Sequence, residues 1–158
     1  MTKIELVREK LSDFWIPDIY KNKIRSARTR AVQIPAAARV GNAEIMHTLL
    51  GIELKVAKSR LTCPDLATAR YLLVFARLGC AEIAVPYDIT KISPLADELE
   101  TAWQRLLLIL DVESNGQSAA SKSRFKRLLL RKIRQEIESI GAGEKMPEFK
   151  QSTGQTKN

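Results

Sequence analysis

Two carboxylates and a lysine lie near one another in the middle of the chain, in a pattern that could support metal-dependent chemistry. Glu53 and Lys55 flank Leu54 in an alternating segment, and Asp65 follows soon after. An Asp and a Glu can hold a divalent cation, because hard cations prefer oxygen ligands. A lysine beside them can steady the water that such a cation activates. These residues define the first candidate site, one for metal-dependent hydrolysis.

The same residue types resemble those of the PD-(D/E)xK metal-dependent nucleases. The resemblance covers only about a dozen residues, and so short a motif also arises by accident. In that family the aspartate precedes the E-x-K element, whereas Asp65 follows it here. Asp65 also stands at a predicted helix start, after Thr62 and Pro64, where a carboxylate accepts backbone N–H bonds. We therefore keep a nuclease as an alternative function and assign no catalytic residue and no metal ligand.

The remaining reactive side chains indicate no further chemistry. His47 is the only histidine, and no Ser or Cys is visibly paired with it. Cys63 and Cys80 fit neither a C-x-x-C pair nor a zinc knuckle, so we expect both in the core and predict no cofactor. Two cysteines in 158 residues favour a reducing compartment. Because charged residues interrupt the N-terminus, it does not match a secretory signal, and we expect a cytoplasmic protein.

Positive charge is concentrated at the two ends of the sequence. Residues 1–42 carry a net charge of +5, residues 43–114 carry −3, and residues 115–158 carry +6. Such asymmetry favours a polyanionic partner for the ends and an ordinary packed domain for the middle. We therefore predict a non-enzymatic nucleic-acid-associated or regulatory protein, whose basic ends contact the phosphates of DNA or RNA.

The predicted nucleic-acid-binding residues form two groups, one near each end. Tyr20 is the only aromatic residue at the N-terminal group, so phosphate contact is favoured over base stacking. The N-terminal group is Lys21, Lys23, Arg25, Arg28 and Arg30, in a solvated basic arm or an irregular helix, and the C-terminal group is Lys122, Arg124, Lys126, Arg127, Arg131, Lys132 and Arg134.

The C-terminal basic residues crowd the first half of a predicted helix, while Glu136 and Glu138 follow them. This order opposes the helix dipole, which favours acidic residues first. Phosphate oxygens would offset that cost, although a solvated basic face explains the residues equally well. An alternative function is a protein-assembly module, in which the apolar stripe from Phe125 to Ile140 pairs with a second helix in a homo-oligomer. Binding to an anionic membrane surface ranks lower, because the apolar face lacks Trp.

Periodicity and boundary residues predict the elements that position these groups. Helices are expected over 3–15, over 43–50, from Pro64 to Gly79, from Pro94 to about Val112, and from Lys122 to Gly141. Residues 52–56 alternate as a strand does and could form a hairpin with 60–62, and 81–85 predict another strand. Thr62 and Ser93 are the expected caps of the two middle helices.

These elements predict an α+β fold: a small, mostly helical domain with a short two- to three-stranded sheet, a basic C-terminal amphipathic helix and a disordered tail. The predicted organisation is an N-terminal helix and basic arm (1–42), an α+β core (43–112), a linker (113–121), the basic helix (122–141) and the tail (142–158).

Overall fold

A computed structural model of the chain describes residues 2–35 and 42–143 and confirms the predicted α+β class. Two antiparallel sheets are surrounded by helices. In chain order the elements are α1 (Lys3–Leu11), α2 (Ile16–Ile19) running into a π-turn (Tyr20–Ile24), β1 (Thr29–Gln33), β2 (Ala43–Thr48), β3 (Gly51–Val56), β4 (Ser59–Cys63), α3 (Leu66–Leu78), β5 (Glu82–Pro86), α4 (Ile92–Glu113) and α5 (Ala119–Ile140).

The larger sheet has the strand order β2–β3–β4. The predicted strand and hairpin over 52–62 are confirmed, with Ala57 at a φ of +55° in the two-residue turn. The predicted helix over 43–50 is wrong, because Ala43–Thr48 form β2, which pairs Ile45 with Leu54, and Leu49 and Leu50 form the turn to β3. The sequence of β2 alternates only weakly between apolar and polar residues. These residues form a strand because β3 supplies the partners for their backbone hydrogen bonds.

The smaller sheet pairs β1 with β5, and the sequence predicted only β5. The unpaired edge of β5 is closed by two tyrosines instead of a third strand. The Ala84 N–H donates to the Tyr20 hydroxyl at 2.9 Å, and the Tyr71 hydroxyl donates to the Ala84 carbonyl at 2.6 Å. Tyr20 in turn donates to the Gly141 carbonyl at 2.6 Å. The N–H and the C=O of the buried Ala84 therefore both have hydrogen-bond partners, although no strand of the described chain pairs with this edge of β5.

Two helix starts lie at residues other than the predicted caps. Asp65, and not Thr62, is the N-cap of α3, because its Oδ1 accepts the Thr68 N–H at 2.8 Å while Thr62 belongs to β4. Helix α4 begins at Ile92, one residue before the expected Ser93 cap. A short 3₁₀ turn over Ile89–Lys91 leads directly into it. The predicted end of α3 at Gly79 is confirmed, where φ is +86°, a conformation that favours glycine.

A single hydrophobic core draws on the whole described chain. Trp15 and Tyr20 near the N-terminus and Leu129, Ile133 and Ile137 of α5 are fully or almost fully buried in it. Trp15 Nε1 donates to Glu136 Oε1 at 3.0 Å and so fixes α5 against the N-terminal helices. The predicted tail lies outside the described residues from residue 144 onwards. Among the described helices, none is both long and apolar enough to cross a lipid bilayer.

Candidate polyanion-binding surface

Four arginines form a row along the outer face of α5, and we call Arg124, Arg127, Arg131 and Arg134 the arginine row. Their spacing of three, four and three residues places them on one side of the helix. The side that faces the core carries Leu129, Ile133 and Ile137. Arg124, Arg127 and Arg131 are exposed on the other side, and Arg134 at the end of the row is half-buried. From its first to its last residue the row covers about 15 Å of helix. Together with Leu128, the row lines a concavity of about 410 Å³.

Across the described part of the chain, no acidic side chain pairs with the arginine row. In residues 2–35 and 42–143, none of the four guanidinium groups forms an ion pair. Other basic residues of the protein are paired: Lys10 with Glu113, Arg60 with Glu53, and Arg70 with Asp97 and Glu100. The row therefore keeps its charge available for an external anion.

The placement of these arginines is unfavourable for α5 on its own. Arginines three or four residues apart repel each other, at roughly 0.2–0.5 kcal/mol for each neighbouring pair. Helix α5 also has no acidic residue in its first turn, and Ser118 caps it by accepting the Ser121 N–H at 3.2 Å. A basic first half opposes the helix dipole as well. An anion bound across the row would relieve both costs.

The other predicted residues of α5 lie apart from the row. Lys122 and Lys126 line a separate groove between α4 and α5, beside Leu107, Leu110 and Asp111. Lys132 pairs with Glu136 one turn later, at 3.6 Å. The structure therefore divides the predicted C-terminal group into the unpaired row, a lysine pair at another groove, and one ion-paired lysine.

The predicted N-terminal arm is folded into the protein. Residues 20–24 form the π-turn, which agrees with the irregular-helix alternative, and residues 29–33 form β1, which no alternative included. Lys21 is exposed and Arg30 is half-buried on β1. Lys23 pairs with Glu98 at 2.7 Å, and Arg28 lies over the Tyr87 ring, 4.8 Å from its centroid.

Arg25 is covered by the chain that leaves α5. Its Nη1 donates to Thr29 Oγ1 at 2.7 Å. A Cβ added at Gly143 would lie 2.4 Å from that same hydroxyl and 2.9 Å from Arg25 Nη1, so only glycine fits there. Arg25 therefore contributes to packing between β1 and the segment after α5. Arg25 and Arg28 of the N-terminal group also line one concavity, together with Thr29 and Gly143.

The residues that resemble a nuclease motif have structural partners. Glu53 pairs with Arg60 at 3.3 Å, and Asp65 caps α3. Across the two described ranges, no three His, Cys, Asp or Glu side chains form a group that could hold a metal ion. His47 is exposed on β2. Cys63 and Cys80 are free and buried, as predicted, and burial raises the pKa of Cys80 to about 12.

The apolar stripe of α5 is used inside the chain. Leu129, Ile133 and Ile137 are buried in the core, and Phe125 is half-buried beneath the Lys3 ammonium group, 5.4 Å from its ring centroid. The stripe that the assembly hypothesis requires is therefore covered by the protein's own helices. Leu128, which sequence reasoning did not select, is the apolar residue of the outer face. Leu128 follows Arg124 by four residues, and this spacing indicates from the sequence that the two side chains share one face of the helix.

Comparison of the chain with known proteins finds no matching family model, no matching curated protein and no matching solved structure.

Proposed function

We propose that the protein is a non-enzymatic nucleic-acid-binding protein whose arginine row contacts phosphates of a duplex without reading its sequence. The observation that supports this proposal is the row itself: four arginines on one outer helix face, with no acidic partner among the described residues. Each arginine that neutralises a phosphate releases a counterion, which supplies a favourable free energy that a free helix lacks.

A duplex is favoured over a single strand by the composition of the same face. Binding of single strands without sequence preference relies on aromatic side chains on which bases stack. The outer face of α5 offers Leu128 and no aromatic residue, since Phe125 is half-buried and covered by Lys3. An α-helix fits the major groove of B-DNA, which is about 12 Å wide. Duplex DNA is therefore the partner whose shape suits a helix with arginines and no aromatic residue on its outer face.

Fluorescence anisotropy with duplex DNA, single-stranded DNA and duplex RNA, each over a salt series, tests this proposal. Four phosphate contacts predict a slope of about −3.6 in a plot of log affinity against log salt for duplex DNA. The double variant Arg127→Gln with Arg131→Gln should reduce that slope by about 1.8 and weaken binding at low salt. The matched control, Lys58→Gln with Lys91→Gln, removes the same charge at exposed sites elsewhere.

The control variant separates the arginine row from the overall positive charge of the protein. If both double variants lose the same affinity, the row has no special role and the proposal is wrong in its location. If the wild-type protein does not bind any of the three probes at low salt, the proposed function itself is wrong.

A further inference from the structure

Strand β2 forms one of the two edges of the larger sheet. The backbone N–H and C=O groups of every second residue of β2 point away from β3. The Ala57 N–H donates to the Asn42 carbonyl at 3.1 Å, which makes these two residues a hydrogen-bonded pair. In an antiparallel ladder such pairs alternate, so the even-numbered residues of β2 bond to β3. The odd-numbered residues direct their N–H and C=O groups outward, and these residues are Ala43, Ile45 and His47. Within the described chain no strand pairs with this edge.

Two of the other sheet edges, those of β5 and β4, carry features that hinder pairing with a further strand. Tyrosine hydroxyls close the edge of β5, and the edge strand β4 carries the charged Arg60. Proteins usually guard an open strand with Lys, Pro, a bulge or a covering helix. Strand β2 has neither Lys, Arg nor Pro, and its single charged residue is Glu44. Its outer side is therefore a template for another strand.

We propose that β2 pairs antiparallel with β2 of a second copy of this chain, about a two-fold axis at Ile45. In this register Ile45 lies opposite Ile45 of the second copy, and Ala43 lies opposite His47 in both directions. Each of these pairs exchanges two backbone hydrogen bonds. The two three-stranded sheets then form one continuous six-stranded sheet. This interaction surface is independent of α5 and of the proposed nucleic-acid binding.

The side chains of β2 match a second copy of themselves. Glu44 lies opposite Met46 of the second copy, so no like charges lie directly opposite each other, an arrangement that would be unfavourable in a sheet. A two-fold pairing uses up both open edges at once and therefore closes as a dimer, whereas pairing β2 with β4 of another copy would leave a free edge and continue into a filament. Leu49 and Leu50, 106% and 88% exposed at the end of β2, come to lie alongside the second molecule.

Sedimentation velocity over a concentration series, combined with one matched pair of variants, tests the dimer. His47→Pro removes an outward N–H and places a ring against the incoming strand, while the bonds from β2 to β3 stay intact. His47→Ala changes the same exposed side chain and keeps the N–H. We expect the wild type and His47→Ala to dimerise alike, and His47→Pro to raise the dimer dissociation constant at least tenfold. A wild-type monomer at every concentration, an open-ended series of larger species, or a dimer unaffected by His47→Pro overturns the proposal.

Amide hydrogen exchange of the wild-type protein tests the same edge without a substitution. The N–H groups of Ile45 and His47 should exchange fast at low protein concentration and become protected as the dimer forms, while those of Met46 and Leu54 should be protected throughout. Exchange at Ile45 and His47 that is independent of concentration contradicts the pairing, even if His47→Pro fails to fold.

Discussion

The hydroxyl group of Tyr20 connects three parts of the chain that are distant in sequence. It accepts a hydrogen bond from the Ala84 N–H of β5 and donates one to the Gly141 carbonyl after α5. Tyr20 is fully buried, and burial raises its pKa to about 12. One side-chain oxygen thus supplies the acceptor for the Ala84 N–H at the edge of β5 and also holds the segment after α5.

We expect Tyr20→Phe to lower the free energy of unfolding by about 1–3 kcal/mol, because the variant leaves the buried Ala84 N–H without its acceptor. Urea denaturation followed by circular dichroism measures this change. A cost below about 0.5 kcal/mol would mean that water or a shifted backbone replaces the hydroxyl, and that the tyrosine does not close the strand edge.

The thiol of Cys80 predicts a pH dependence of stability. Burial, aided by Glu138, raises its pKa from 9.0 to about 12. Above pH 9 the unfolded chain loses a proton that the folded protein keeps, so the free energy of unfolding falls as the pH rises through this range. Between pH 8 and pH 10.5 we expect a loss of about 2 kcal/mol from this group.

Cys80→Ala isolates that contribution, because all other titrating groups are shared with the wild type. Urea denaturation of both proteins from pH 8 to pH 10.5 should show a steeper loss of stability for the wild type. Parallel pH profiles would show that the thiol titrates alike in the folded and unfolded states.

At the scale of elements, α5 has two faces with opposite roles, and a pair of leucine-sized side chains distinguishes them. Ile133 is fully buried, whereas Leu128 is 42% exposed among the arginines. Ile133→Ala should cost about 2–5 kcal/mol of unfolding free energy, and Leu128→Ala should cost much less. Thermal and urea denaturation of the two variants measure the contrast. Equal small costs would mean that α5 is not part of the core and would restore its apolar stripe as a surface for another chain.

Elements with strong local signals were predictable from the sequence. Helices α3, α4 and α5 carry long apolar stripes with proline or glycine near their ends, and β3 alternates strictly. β1 and β2 were missed, because their short patterns become strands only when β5 and β3 supply hydrogen-bonding partners far along the chain or across a turn. Propensity alone does not report such partners.

The sequence predicted which basic residues belong to the candidate site, but it did not predict which of them lie together on one face. Charge counting selected all seven basic residues of α5, yet only four of them share the outer face without an acidic partner. The ion pair of Lys23 with Glu98 depends on a contact across 75 residues, and no local pattern shows it. The sequence therefore located the basic helix, and the three-dimensional packing decided which of its basic residues share one outer face.

At the scale of the whole molecule, the core depends on both ends of the described chain. Residues 43–112 lack α1, α2 and α5, whose buried side chains include Ile19, Ile133 and Ile137, and they also lack the buried Trp15 before α2. We expect a fragment of residues 43–112 to remain unfolded or to form a loosely packed state, because it would expose the apolar surface that these helices cover. Circular dichroism and urea denaturation should show no cooperative transition. A cooperative transition with a dispersed amide spectrum would establish these residues as an independent domain.

The hydrogen bonds from Trp15 to Glu136 and from Tyr20 to Gly141 each join residues 121 positions apart. A growing chain on the ribosome makes Trp15 and Tyr20 long before their partners exist. At about 5–20 residues per second, the delay is roughly 6–24 seconds. During that interval the first helices have no α5 to cover them, and their apolar side chains stay accessible to chaperones and to one another. The final packing of this protein is therefore a late event of its synthesis, completed only when α5 has left the ribosome.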